Sequence, residues 1–186
     1  LGNEAATLTD TTLDAAVLNT LDGNTAGTID ASSINTLTGA AADLITAYDS
    51  NGITGLGDEA VNVSSGTATT DQANTLADAT SAVVTATLSD GDLETLADLN
   101  ETGNAYTITI TDTSVDAAAL NTLDGKTTVA INASNINALT GAADELVAAY
   151  DSDGITGLDD EDITLSDTTL DAAVLNTLDG NTSGVI

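Results

Sequence analysis

Short stretches in which Ile, Val or Leu alternates with Thr or Asn recur along the chain. They read TLT at Thr7–Thr9, VNV at Val61–Val63, VTATL at Val84–Leu88, YTITIT at Tyr106–Thr111, VAIN at Val129–Asn132 and ITL at Ile163–Leu165. A period of two turns one set of side chains inward and leaves the other wet, which predicts half-buried strands. Clusters such as Thr11-Thr12-Leu13-Asp14, Thr113-Ser114-Val115-Asp116 and Thr168-Thr169-Leu170-Asp171 follow. Ser or Thr with an acid three residues on marks a helix N-terminus, where the acid also suits the positive end of the helix dipole. The spacing predicts a short helix with Leu13, Ala16, Val17 and Leu21 inward and Gly23 at its end. Leu170, Ala173, Val174, Leu178 and Gly180 repeat it. A second, longer helix is predicted to open at Thr38-Gly39-Ala40, turn Leu44, Ala47 and Tyr48 inward, and stop at Asn51-Gly52. Its counterpart runs from Thr140 through Leu146, Ala149 and Tyr150 to Gly154.

These patterns belong to sequence repeats. TLDAAVLNTLDGNTAG at Thr12–Gly27 returns as SVDAAALNTLDGKTTV at Ser114–Val129, and once more as TLDAAVLNTLDGNTSG at Thr169–Gly184. The block from Ile29 to Leu56 returns from Ile131 to Leu158, so that Leu21 matches Leu123 and Tyr48 matches Tyr150, an offset of 102. Gap-free recurrence of this kind is the mark of a repeat architecture. Residues 1–186 read as one solenoid, with 6–107 as a first long repeat and 108–186 as a second, incomplete one. Predicted strand starts fall about every 22 residues, with one step of about 34 where the longer helix is inserted. A strand and a crossover helix per unit require parallel strands and right-handed crossovers. The expected fold is α/β: a right-handed β/α solenoid with one parallel sheet, short helices along one side and a Thr/Asn-lined opposite face. No unit buries enough to fold alone, so stacking must stabilise it. The chain also ends inside a predicted strand, at Val185-Ile186, and the expectation is a segment of a longer protein.

Composition narrows the function. The chain lacks Cys, His, Met, Trp, Phe, Pro and Arg, its only basic residue is Lys126, and its formal net charge is −29. Nucleophilic catalysis by Cys or a Ser–His pair is excluded, as is ligation of zinc, haem or iron–sulfur clusters by thiol or imidazole. The expectation is a protein that is not an enzyme. A field of this sign repels nucleic acid and anionic lipid, so neither is an expected partner. It also favours a salty medium, because screening shortens to roughly 3 Å at 1 M salt. No apolar run reaches the length of a membrane span, and no signal-peptide pattern is present.

The candidate chemistry lies in the loops after the predicted longer helix. Asp49-Ser50-Asn51-Gly52 leads to Asp58-Glu59, and Asp151-Ser152-Asp153-Gly154 leads to Asp159-Asp160-Glu161. Acids and an amide spaced around a glycine turn are how oxygen ligands are often placed around Ca²⁺. The candidate ligands are Asp49, Asn51, Asp58 and Glu59, and Asp151, Asp153, Asp159, Asp160 and Glu161. The spacing is neither that of an EF-hand nor that of a calcium-binding β-roll. The competing reading is a helix C-cap at Gly52 or Gly154 followed by a solvated turn. Asp90-Gly91-Asp92 reads as a cap. Tyr48 and Tyr150 read as core, and Tyr106 as partly exposed. Thr7/Thr9, Thr85/Thr87 and Thr107/Thr109 have the T-x-T spacing of ice-binding sheets, interrupted by Asp30, Asn62 and Asn132. Ice binding is therefore a remote alternative.

Runs such as DAAVLNTLDGNTAG, INTLTGAAADL, AYDSNGITGLGDEA and ATLSDGDLETLADL resemble the repeats of giant cell-surface proteins of marine cyanobacteria, of the type associated with swimming. The resemblance covers nearly the whole chain and carries no site motif. It implies a secreted or cell-surface location, a very long parent chain, and a role in the envelope, attachment or motility. Two function classes follow. One is a structural spacer, filament or surface-layer element that self-associates. The other is a calcium-dependent adhesin for a surface or glycan, which the scarcity of aromatics (three Tyr) disfavours.

Overall fold

The computed structural model describes residues 2–186. The fold is α/β, with parallel strand pairing throughout the described residues and seven helices. The chain forms two compact units. One runs up to Ser89 and includes Leu99–Tyr106; the other joins Asp90–Asp98 to Thr107–Ile186.

The first unit opens with β1 (Ala6–Thr7), β2 (Thr12–Asp14) and α1 (Ala15–Gly23). It continues through β3 (Ile29–Asp30), β4 (Thr36–Ala40) and α2 (Ala41–Asp49), then β5 (Ile53–Thr54), β6 (Ala60–Ser65) and α3 (Thr70–Ala79), to β7 (Val84–Thr87). The two-residue strands pair in the order β1-β3-β5. The longer ones pair as β2-β4-β6-β7, followed by β8 (Ala105–Thr107), whose first two residues belong to this unit. Each strand pairs with its equivalent on the next turn of chain: Ala6 with Ile29, Ile29 with Ile53, Thr12 with Thr36, Thr36 with Ala60, Val61 with Val84. Leu37, Val61 and Val84 thereby form a fully buried column, one residue per strand, and α1 packs on α2 and α2 on α3.

The second unit holds α4 (Leu93–Leu96), β9 (Ser114–Asp116), α5 (Ala117–Asp124), β10 (Ile131–Asn132), β11 (Ala138–Gly141), α6 (Ala143–Asp151), β12 (Ile155–Thr156), β13 (Asp162–Leu165) and α7 (Ala172–Asn181). Its sheets are β10-β12 and β13-β11-β9. Ser114 pairs with Ala138 and Ala138 with Asp162, the same turn-to-turn spacing as in the first unit, stacking Val115, Leu139 and Ile163. Each buried Val, Leu or Ile contributes roughly 1.5–3 kcal/mol, and only the neighbouring strand or helix supplies the cover.

Several expectations are corrected. Among the described residues there is not one sheet but four: most turns of chain carry two short strands rather than one, and neither ladder of strands is continuous along the chain. The single longer step between strand starts disappears: α2 is no insertion and is no longer than α1, and it has its own strands, β3 and β4. Thr38-Gly39-Ala40 and Thr140-Gly141 close strands instead of opening helices. Gly39 and Gly141 are buried at φ +143 and +155, a backbone region that excludes most side chains. A Cβ on Gly39 would sit 3.5 Å from that of Ala15.

The inward faces of the shorter helices also shift. In α1 the buried residues are Ala15 and Leu18, whereas Val17 is 57% exposed and Ala16 is exposed. Leu13 lies in β2, and the helix starts only after Asp14. In α7, Leu178 is buried, Val174 half-buried and Ala173 exposed. The acid of the Thr-x-x-Asp cluster is itself the N-cap. Asp14 accepts from the backbone N–H of Ala16 at 2.9 Å, Asp116 from Ala119 at 3.1 Å and Asp171 from Ala173 at 2.8 Å. Asp92 caps α4 in the same way, through the N–H of Thr95 at 2.9 Å.

The alternation itself is as expected. Val84, Ala86 and Leu88 are buried while Thr85 and Thr87 are exposed, and Ile108 and Ile110 are buried while Thr107 and Thr109 are exposed. Tyr106 is fully buried rather than partly exposed, because it is in phase with Ile108 and Ile110.

Candidate functional site

The loop after α2 is organised around a buried carboxylate. Asp49 ends the helix, Ile53 enters β5, and the chain then turns through Gly55, Leu56 and Gly57 to Glu59, which is 1% exposed. The Tyr48 hydroxyl, at the end of α2, donates to the Glu59 carboxylate. The backbone N–H groups of Gly57 and Asp58 donate to its other oxygen at 2.9 and 3.3 Å. The Thr80 hydroxyl, just past α3, donates to the Glu59 carbonyl at 2.6 Å. The second unit repeats the arrangement. The Tyr150 hydroxyl donates to Glu161, which is fully buried, the backbone N–H groups of Asp159 and Asp160 donate to its other oxygen at 3.0 and 3.3 Å, and the Thr182 hydroxyl donates to its carbonyl at 2.7 Å.

A second polar link ties the same loop to the preceding helix. Ser50 Oγ donates to Asp22 Oδ2 at 2.6 Å and accepts from the N–H of Gly52 at 3.0 Å. In the copy, Ser152 donates to Asp124 at 2.7 Å and accepts from Gly154 at 3.0 Å. Asn19 Nδ2 donates to the Asp43 carbonyl at 2.9 Å, as Asn121 does to that of Glu145. Thr54 and Thr156 donate to the carbonyls of Ile29 and Ile131 at 3.1 and 3.0 Å. Apart from the local bonds of Gly52 and Gly154, each of these bonds crosses from one turn of chain to the next, and all of them are at least partly buried.

The structure separates the predicted ligands into two kinds. Asp49, Asn51, Asp58, Asp151, Asp153, Asp159 and Asp160 are exposed, while Glu59 and Glu161 are buried and occupied by internal donors. Among the described residues, no three acidic side chains gather into a group that could hold a metal ion. Sequence reasoning missed the clasp residues Tyr48 and Tyr150 and the acceptors Asp22 and Asp124. One signal was available, since a Glu follows each of these tyrosines by the same 11 residues.

Electrostatics mark the tyrosines. Burial first, and then the Glu59 carboxylate, push the Tyr48 hydroxyl well above the ordinary tyrosine range, and burial with Glu161 does the same at Tyr150. Tyr106 is pushed up to about 12 by burial and by the charges of Glu101 and Asp78. Asp30 and Asp92 are held below the usual carboxylate range by hydrogen bonds from Ser32 and Thr95. The arrangement can pin loops between successive helices. Among the described residues, no helix is long and apolar enough to cross a membrane. Comparison with protein-family models, curated proteins and solved structures finds no match.

Proposed function

We propose that the chain is a non-enzymatic structural repeat element: a right-handed β/α solenoid serving as spacer, filament or surface-layer component outside the cell. The observation that carries this reading is the recurrence, from one long repeat to the next, of complete polar clasps and not merely of sequence. Tyr48–Glu59–Thr80 and Asp22–Ser50–Gly52 reappear as Tyr150–Glu161–Thr182 and Asp124–Ser152–Gly154. Joints repeated in register favour a uniform extended body over one specialised turn. The absence of His and Cys from the sequence and the net charge of −29 fit a solvated scaffold in a saline medium. Self-association and a cell-surface location belong to the same reading, alongside the resemblance to marine cyanobacterial surface repeats. Immunogold electron microscopy of intact cells tests it. Label along extended surface structures is the expected result, and label confined to the cell interior would overturn it.

A further inference from the structure

We propose that a cleft between α2 and α3 of the first unit binds a small organic cation with an aliphatic portion, an alkylammonium. The cleft has a volume of about 420 Å³. Ala47, Ile53 and Leu76 form a buried floor, and Tyr48 and Leu56 are half-buried beside them. Asp49 and Asp78 line the same cleft and are exposed.

Three features give this cleft one electrostatic sign. The two carboxylates come from different helices. Both helices also end here, α2 at Asp49 and α3 at Ala79, with no basic residue in either last turn. Their C-terminal carbonyls therefore add partial negative charge that no cation of the helix offsets. Tyr48 lines the cleft, but its hydroxyl is already donated to Glu59 and so has no proton to offer an anion. Carboxylates beside an apolar floor are the chemistry that recognises an ammonium carrying a short alkyl chain. The net charge of −29 raises the local concentration of such a cation further.

The internal repeat supplies a control. At the matching positions of the second long repeat, Tyr150, Asp151 and Leu178 are retained, but Gly180 stands where Asp78 would be. One site per chain is expected, in the first unit.

Isothermal titration calorimetry with hexyltrimethylammonium, hexanol and hexanoate, at about 0.15 M salt, tests the proposal. One equivalent of hexyltrimethylammonium should bind, with hexanol and hexanoate much weaker. Asp49→Asn and Asp78→Asn should each weaken binding about two- to fivefold, as for an exposed charge contact, and Asp71→Asn on the first turn of α3 should not. Asp78→Asn retains the oxygen that accepts from Asn100 Nδ2, so its fold is expected to hold. Equal weakening by Asp71→Asn, two or more equivalents bound, or hexanol binding as tightly would each overturn it.

Discussion

The Tyr48 hydroxyl donates to the carboxylate of Glu59, 11 residues further along and 1% exposed, and this bond fastens the end of α2 to the entry of β6. Removing the donor leaves a buried carboxylate short of one partner. Tyr48→Phe should therefore lower stability by about 1–3 kcal/mol. Tyr150→Phe should do the same in the second unit. Urea melts of each variant against the parent chain check this, and shifts within error would show that the backbone N–H donors suffice.

At alkaline pH the three tyrosines act together. Their folded values lie above the ordinary value of about 10. Their contribution to stability is therefore fully present below about pH 10 and lost as pH rises through the folded values. Tyrosinate absorbance should lag behind that of free tyrosine and rise together with the loss of circular dichroism. A tyrosinate signal developing near the ordinary value in a still folded chain would contradict it.

Asp30 works in the opposite direction. Its folded value is depressed, so its contribution is present above the unfolded value of about 3.9 and lost as pH falls through the folded value. The second unit carries Asn132 at the matching position, accepting from the N–H of Ser134 at 3.1 Å just as Asp30 accepts from Ser32. Asp30→Asn should thus keep the turn and lose only the titration. The difference in melting temperature between parent and variant should shrink as pH drops below about 4. Melting curves from neutral to strongly acidic pH measure it, and a pH-independent difference would assign the effect to packing.

Salt should stabilise the chain. With a net charge of −29, self-repulsion weakens as the screening length falls from about 30 Å at 0.01 M to about 3 Å at 1 M. The melting temperature should rise over that range. Calcium and magnesium at matched ionic strength should raise it alike, because Glu59 and Glu161 are occupied by internal donors. Calorimetric scans in the two salts decide this, and a rise specific to calcium would restore the exposed acids of the loops as ligands.

Gly55 sits at φ +83, and a Cβ there would approach the Ser32 backbone nitrogen at 2.8 Å. Gly55→Ala should cost at least about 1–2 kcal/mol from the backbone conformation alone. Gly23, at the end of α1, has open space around its would-be Cβ, and Gly23→Ala should be neutral or slightly stabilising. Thermal melts of the pair compare strain with propensity in one host.

The chain by itself determined much. The offset of 102, the parallel arrangement, the phase of Val84–Leu88 and Ile108–Ile110, and the cap at Asp92 are all legible, because periods and repeats survive without knowledge of neighbours. The tertiary structure decided what local pattern cannot carry. Ile29–Asp30 and Ile53–Thr54 are strands too short for any period, and they exist only because each pairs with the turn of chain beside it. The inward face of α1 depends on a helix start fixed by Asp14, and a small shift there moved burial from Val17 to Leu18. Glu59 and Glu161 looked like surface ligands among acids. Only the fold brings Tyr48 and Thr80, or Tyr150 and Thr182, close enough to turn each carboxylate inward and satisfy it. A buried charge becomes tolerable through partners that the linear sequence holds 11 and 21 residues away.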